Sequence, residues 1–246
     1  MSMSKAKAEN RELPKRFYKE VSARPDEGGW SVLLDGRPVK TPAKRALKVP
    51  SETLAQALAA EWAAQETVID PFTMPITRIL HVALDRIAEV REGAAEEVAN
   101  FGRTDLLSHR ADDAGLAARQ AELWDPYLEW AKTALDAPLN AAATVLALEQ
   151  PDSSIEALKA HALAQDDLRL TALVSVTPIL GSAILAFALL EGEADADSVW
   201  TAARVDDNYQ TERWGEDSEA ALAAANRKRD LIACETVMRA LDDAGL

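Results

Sequence analysis

The residue types that could do chemistry are few, and their spacing assembles none of the familiar sites. His81, His109 and His161 have no second histidine three or four positions away and no cysteine nearby, so local spacing makes no metal-ligand pair. Cys234, the single cysteine, lies in Leu231-Ile232-Ala233-Cys234, which reads as the buried stripe of a helix. One such thiol builds neither a disulfide framework nor a thiolate cage, and it fits a reducing compartment. There is no glycine-rich phosphate loop before a helix and no Gly-x-Ser-x-Gly elbow; Gly181-Ser182-Ala183 reads as a small-residue helical patch. With 41 acids in the chain, some pair of carboxylates always looks catalytic, so acid–base spacing carries no information. No residue pattern thus points positively to catalysis or to a metal, and a metal site assembled by the fold from distant residues stays open on this reading.

Aromatic and polar side chains concentrate in two stretches of a chain otherwise poor in aromatics. In Glu61-Trp62-Ala63-Ala64-Gln65, Glu61 and Gln65 stand one helical turn apart and share a face. In 206–217, Tyr209, Gln210, Glu212, Arg213 and Trp214 fall on neighbouring turns, and Gly215 ends the helix. One expectation is that Trp62 and Trp214 are core anchors whose indole N–H groups reach nearby carboxylates. The other is that Glu61, Tyr209, Gln210 and Glu212 line an exposed groove, where aromatic anchors with a polar rim suit transient protein binding.

The elements that must position these stretches follow from local pattern. The composition, 48% hydrophobic and 28% charged with abundant Ala and Leu, predicts a folded chain that is mostly helix. Short strands and turns occupy the start. Phe17-Tyr18-Lys19-Glu20-Val21 reads as a first strand, Asp26-Glu27-Gly28-Gly29 as a turn, and Trp30-Ser31-Val32-Leu33-Leu34 as a second strand. Asp35-Gly36 is a two-residue hairpin turn, and Pro38 and Pro42 push the returning strand to an edge. From Ser51, a helix N-cap, the period becomes helical, with helices expected over 75–88, 92–107, 114–135, 154–176, 178–190, 195–214 and 218–244. The fold class is thus α+β and predominantly α: a tail over 1–14, a small antiparallel β domain over 15–50 and a helical domain over 51–246.

Residues 170–190 carry no charge over a length that could span a bilayer. Thr177-Pro178 reads there as the junction of two helices, and the acidic flanks Asp166-Asp167 and Glu191 to Glu193 lack the basic clusters that orient a span, so two buried core helices are expected. The net charge of -14 repels phosphate backbones and anionic lipid, which excludes nucleic acid and stable membrane insertion as expectations. The N-terminal residues mix Lys5, Lys7 and Arg11 with Glu9 and Glu12 and lack an apolar run, which reads as neither a secretory signal nor a mitochondrial transit peptide.

Tyr209-Gln210-x-Glu212-x-Trp214-Gly215-Glu216 resembles the C-terminal signature of the assembly chaperones of the ATP synthase F1 alpha subunit. In order before it stand Arg16-Phe17-Tyr18, the run from Leu34 to Pro42, Glu61-Trp62-x-x-Gln65, Pro71, Met74-Pro75, Thr77, Thr104-Asp105-Leu106-Leu107, Arg110-Ala111, Gln120 and Trp124-Asp125-Pro126, all similar to that family. An ordered set is far more specific than any one motif. The resemblance implies a small β domain joined to a helical one, no catalytic centre, no cofactor, and unassembled alpha subunit as the partner, held until a beta subunit replaces it. It implies partner binding by Glu61, Trp62, Gln65, Tyr209, Gln210, Glu212 and Trp214, in a bacterial cytoplasmic protein whose mitochondrial relatives work in the matrix. A generic interaction module with another client is the alternative, and a carboxylate-dependent small-molecule enzyme is a further one.

Overall fold

The computed structural model describes residues 13–144, 148–215 and 217–245. Most of the expected N-terminal tail lies outside them, while Pro14 is held by the backbone N–H of Ile69, which donates to its carbonyl at 2.8 Å. Strand β1 (Val21–Asp26) pairs antiparallel with β2 (Gly29–Leu34), from Val21 opposite Leu34 to Asp26 opposite Gly29. The first strand therefore begins where the sequence reading ended it. Residues 16–20 are drawn out of the ladder because Arg16 and Asp35 hold their backbone: Arg16 donates to the carbonyls of Tyr18 and Lys19, and Asp35 accepts from the amides of Lys19 and Glu20. Asp35 (φ 47°) and Gly36 (φ 78°) make the anticipated tight turn into β3 (Arg37–Pro38), and β4 (Lys48–Val49) pairs with the other end of β2 on the same side. Gly29 is required by close approach as well as by φ of 150°: a Cβ there would sit 2.5 Å from the carbonyl oxygen of Val49.

Helix α1 (Glu52–Ala63) starts at Ser51, whose Oγ accepts from the amide of Leu54, and it lays Leu54, Ala55 and Leu58 against β1 and β2. A short 3₁₀ turn (Pro71–Thr73) leads to α2 (Pro75–Val82), a π turn (Ala83–Ile87) and α3 (Ala88–Arg103). Two helices with a break near residue 90 were expected; the structure instead runs helically through it. The widened turn carries Asp85, whose carboxylate accepts from Thr41 Oγ1 at 2.6 Å and the Ala43 amide at 2.9 Å, tying the loop after β3 to the helices.

The remaining helices are α4 (Ala114–Ala134), α5 (Asp152–Ala164), α6 (Asp167–Leu180), α7 (Ala183–Leu190), α8 (Ala196–Ala203), α9 (Val205–Trp214) and α10 (Ser218–Asp242). The reading of 154–176 as one helix is corrected by Asp166, which accepts from the amides of Leu168 and Arg169 and so starts a new helix. That of 195–214 is corrected at Arg204, which leaves helical geometry between α8 and α9. Residues 170–190 do form two buried helices, but Pro178 lies inside α6. The corner is at Gly181 (φ 65°), the left-handed residue that ends α6, followed by Ser182, whose Oγ caps α7. Every residue of α7 is buried, and among the described residues no helix is long and apolar enough to cross a membrane.

Sheet and helices share one continuous core, running from Tyr18 and Val32 through Trp124 to Leu241. Its most demanding member is Asp105, which is fully buried. Its carboxylate accepts from the amides of Leu107 and Ile184, and burial pushes its pKa up to about 6. Because the folded value lies above the unfolded one near 3.9, the carboxyl's contribution to stability is complete below about pH 4 and is lost as pH rises through about 6. In urea melts, the stability of the natural chain relative to Asp105→Asn should fall by up to about 3 kcal/mol across that window and stay level above it.

Candidate functional site

The first sequence stretch is a structural joint. Pro75 opens α2 without a side-chain cap from Met74, and Glu61, reaching from the last turn of α1, supplies it: its carboxylate accepts from the amides of Ile76 (2.6 Å) and Thr77 (2.8 Å) and from Thr77 Oγ1 (2.7 Å). Burial raises the Glu61 pKa, and these donors oppose the shift. Gln65 is buried, donating through Nε2 to the Glu61 carbonyl and Thr73 Oγ1 and accepting at Oε1 from the Asp70 amide. It thereby fixes the connection between α1 and α2.

Trp62 is half-buried, its ring 5.8 Å from that of Tyr18, whose hydroxyl donates to the Trp62 carbonyl at 2.7 Å. Its Nε1 is buried without an acceptor among the described residues, which do not supply the expected indole–carboxylate bond. Arg16 lies over the Tyr18 ring at 4.6 Å and donates to the carbonyl of Gln65. Arg16-Phe17-Tyr18 and Glu61-Trp62-x-x-Gln65, far apart in sequence, thus interlock.

The second stretch has a buried side and an exposed side. Tyr209 points inward: its hydroxyl donates to Asp113 Oδ1 at 2.7 Å, and the guanidinium groups of Arg119 and Arg213 lie over its ring at 5.0 and 4.1 Å. Asp113 is at once the N-cap of α4, accepting from the amides of Gly115 and Leu116; these bonds, led by that from Tyr209, hold its pKa down at about 2. Buried Gln120 bridges the Asp206 carboxylate and the Ala111 amide, and the indole of fully buried Trp124 donates to the Ala202 carbonyl. Each contact docks α8 or α9 on α4.

On the outer side, Gln210 and Glu212 are exposed, and Glu212 pairs with Arg119 at 2.7 Å. Trp214, which one of the two readings made a core anchor, is 75% exposed at the last position of α9, where Gly215 (φ 89°) ends the helix. A cleft of about 350 Å³ opens there between α9 and the start of α10, lined by Gln210, Trp214, Asp217, Ala220 and Arg227. Leu222, 65% exposed, stands on the same first stretch of α10.

The two stretches are not brought into one groove. The helix of the first packs mainly on β1, β2, α2 and α10, while that of the second packs on α4 and α8. Asp113 and Arg119 are site residues that sequence reasoning missed. The first was legible as a helix N-cap, whereas nothing local marks Arg119 as the partner of a residue 93 positions on. Elsewhere the reactive types are inert or dispersed. Cys234 is buried with its thiol pushed up to about 12, and among the described residues no group of three or more His, Cys, Asp or Glu could hold a metal ion.

Comparison with known proteins gives a consistent result. A family model described as ATP12 chaperone protein matches residues 15–132. The mitochondrial protein atp12 of Schizosaccharomyces pombe is 26% identical, over 93% of this chain and 84% of its own. The crystal structure of Atp12 from Paracoccus denitrificans superposes with a TM-score of 0.82 at 40% identity, covering 92% of this chain and 98% of that one. That of the Atu1473 protein from Agrobacterium tumefaciens superposes with a TM-score of 0.85 at 41% identity, covering 93% and 87%. A mainly helical α+β scaffold with a braced, outward-facing aromatic corner thus falls in the class of chaperones. Within that class, the chain belongs to the ATP12 chaperone family.

The cap on α2 yields a direct check. Glu61→Ala strips three donors of their acceptor and should destabilise the protein by about 2 kcal/mol in chemical denaturation. Glu61→Gln, which keeps one acceptor oxygen, should lose roughly half as much.

Proposed function

We propose that this protein is an assembly chaperone for the catalytic sector of the proton-translocating ATP synthase, acting in the bacterial cytoplasm. Its client is the unassembled alpha subunit, whose beta-facing surface it covers until a beta subunit replaces it. It works by surface complementarity alone, without turnover or cofactor. The observation that carries this reading is the outer side of α9, where Trp214, Glu212 and Gln210 stand exposed on a helix whose inner side is clamped through Tyr209, Asp113 and Arg119. An exposed large aromatic with a polar rim on a rigid support is the anatomy of a contact surface, and it holds a partner without reorganising first. The family membership supports a role in ATP synthase assembly, and the resemblance of the ordered motifs supports the alpha subunit as the client.

Residue roles follow from position. Trp214 supplies apolar contact, Glu212 and Gln210 supply polar rim contacts, and Tyr209 orients them; Glu61 and Gln65 act through the joint that seats α1 and α2, with Trp62 at its edge. Rim contacts of this kind are individually weak, which suits a complex that a partner subunit with a larger interface must displace.

The test is light scattering of nucleotide-free alpha subunit diluted from denaturant. This protein should suppress the aggregation and co-elute with the subunit, where an unrelated acidic protein does neither. Glu212→Lys, which sets a second cation against Arg119, and Trp214→Ser should each keep folding stability within about 1 kcal/mol yet lose most of the suppression. If the natural chain neither suppresses aggregation nor forms a complex, the client is wrong. If Glu212→Lys fails to fold, the acid is structural.

A further inference from the structure

Charge is divided unevenly along this chain. Residues 13–50 hold nine Lys and Arg against four acids, whereas residues 51–246 hold 15 against 35. Pairing sharpens the division. Among the described residues, thirteen of the fifteen bases beyond residue 50 lie in an ion pair, leaving Arg86 and Arg227, whereas within 13–50 only Arg45 and Lys48 do. Two of the four acids of this part are themselves occupied: Asp35 by two backbone amides, and Asp26 by Ser31 and Lys48. Cations without a carboxylate partner therefore gather at the sheet end of a molecule whose net charge is -14.

Two of them, Arg37 and Lys40, line a cleft of about 500 Å³ whose other walls are mainly apolar or aromatic, Phe17, Tyr18, Leu34, Pro38, Val39 and Trp62, with one acid, Asp35, whose carboxylate accepts from the Lys19 and Glu20 amides. The cleft is built on rigid parts. Tyr18 at its floor is buried, bonded to the Trp62 carbonyl and packed edge-on against Phe17 with ring centroids 5.3 Å apart. Phe17 is nonetheless 75% exposed, with nothing covering its outer face among the described residues. Holding an aromatic ring out beside unpaired cations serves the fold poorly, since burying Phe17 would stabilise it and carboxylates are plentiful elsewhere in the chain.

The geometry points to a second docking surface in this cleft, taking an acidic segment of a client polypeptide with an apolar side chain seated against Phe17, Pro38 and Trp62 and its carboxylates on Arg37 and Lys40. Charge complementarity selects the occupant: a basic segment is repelled by the rim, and an uncharged apolar one leaves both cations unused. That the occupant belongs to a client rests on the chaperone reading; the chemistry of the cleft does not. The cleft and the α9 corner lie on separate elements, so two points of attachment give a client avidity that neither weak contact has alone.

The probe is a fluorescein-labelled peptide of alternating glutamate and leucine, titrated with the full chain and followed by anisotropy. Saturable binding is expected, weakening as salt rises and about tenfold weaker for the double reversal Arg37→Glu with Lys40→Glu. Phe17→Ser leaves the charge untouched and should weaken binding by a similar factor, which keeps the proposal testable if the double reversal fails to fold. Glu212→Lys should bind the peptide as the natural chain does. Failure of the natural chain to protect alpha subunit while it still binds the peptide would sink the client reading and leave the cleft standing. The proposal is overturned if no saturable binding occurs or if the cleft variants bind unchanged. Equal binding of the peptide with serine for leucine, or with lysine for glutamate, also overturns it. So does concentration-dependent self-association that the cleft variants abolish, which would make a second copy the occupant.

Discussion

The burial of the uncharged run 170–190, which makes up most of α6 and all of α7, is the constraint around which the molecule is organised. Helix α7 is buried on every side and α6 over most of its length after Arg169, so other elements must surround them: α6 is packed by α2, α3, α10 and the π turn, and α7 by α4, α8 and the turn of α6 back upon it. Such a pair still has a corner between its helices, and a corner buried in apolar surroundings exposes backbone groups with nothing to bond. The chain meets this from a distant segment. Asp105 accepts from the Ile184 amide at the start of α7, while the Leu106 amide donates to the Gly181 carbonyl at the end of α6. The motif Thr104-Asp105-Leu106-Leu107 is therefore the complement of the Gly181-Ser182 corner, and a carboxylate without a counter-cation is the cost of closing it.

The same device recurs at the two stretches singled out for function. A helix start is satisfied by a side chain from elsewhere at Glu61, which serves α2, and the N-cap of α4, Asp113, also receives the Tyr209 hydroxyl. The aromatic residues at both places are consequently divided. Tyr18 and Tyr209 are buried and committed to hydrogen bonds, while the neighbouring Phe17 and Trp214 face out. Each buried tyrosine anchors an exposed aromatic one to five residues away, so the outward ring is presented by a support that does not move when a partner arrives.

What was legible in the sequence follows from how local each cause is. The Asp35-Gly36 turn, Ser51 as a cap and Gly215 as a stop are set by their own backbone conformations, and all stand where the residues put them. The first strand was placed four residues early because Phe17 and Val21 share a β-like run; Arg16 and Asp35, acting across the chain, bind the backbone of residues 18–20 and keep it out of the ladder. Pro178 looked like a helix start, yet it sits near the end of α6, where the missing N–H costs one bond and the glycine after it supplies the true corner. At the candidate site, the type and spacing of Tyr209, Glu212 and Trp214 marked a stretch that the structure gathers on the single helix α9. Which of them would face outward depends on Asp113 and Arg119, and no local rule reaches that far.

The order in which the chain is made bears on the last helix. Helix α10 comprises residues 218–242 and packs on α6, α2 and α1, elements complete in the chain long before it. A polypeptide emerging from the ribosome has thus made its sheet, its first helices and its entirely apolar α7 while the segment that covers α6 is still unsynthesised or inside the exit tunnel. The core is therefore not complete until α10 itself is made, when Leu231, Val237, Met238 and Leu241 close over what came earlier. A chain terminated a few turns early would carry the very hazard that a chaperone guards against in others, an open apolar seam in the cell.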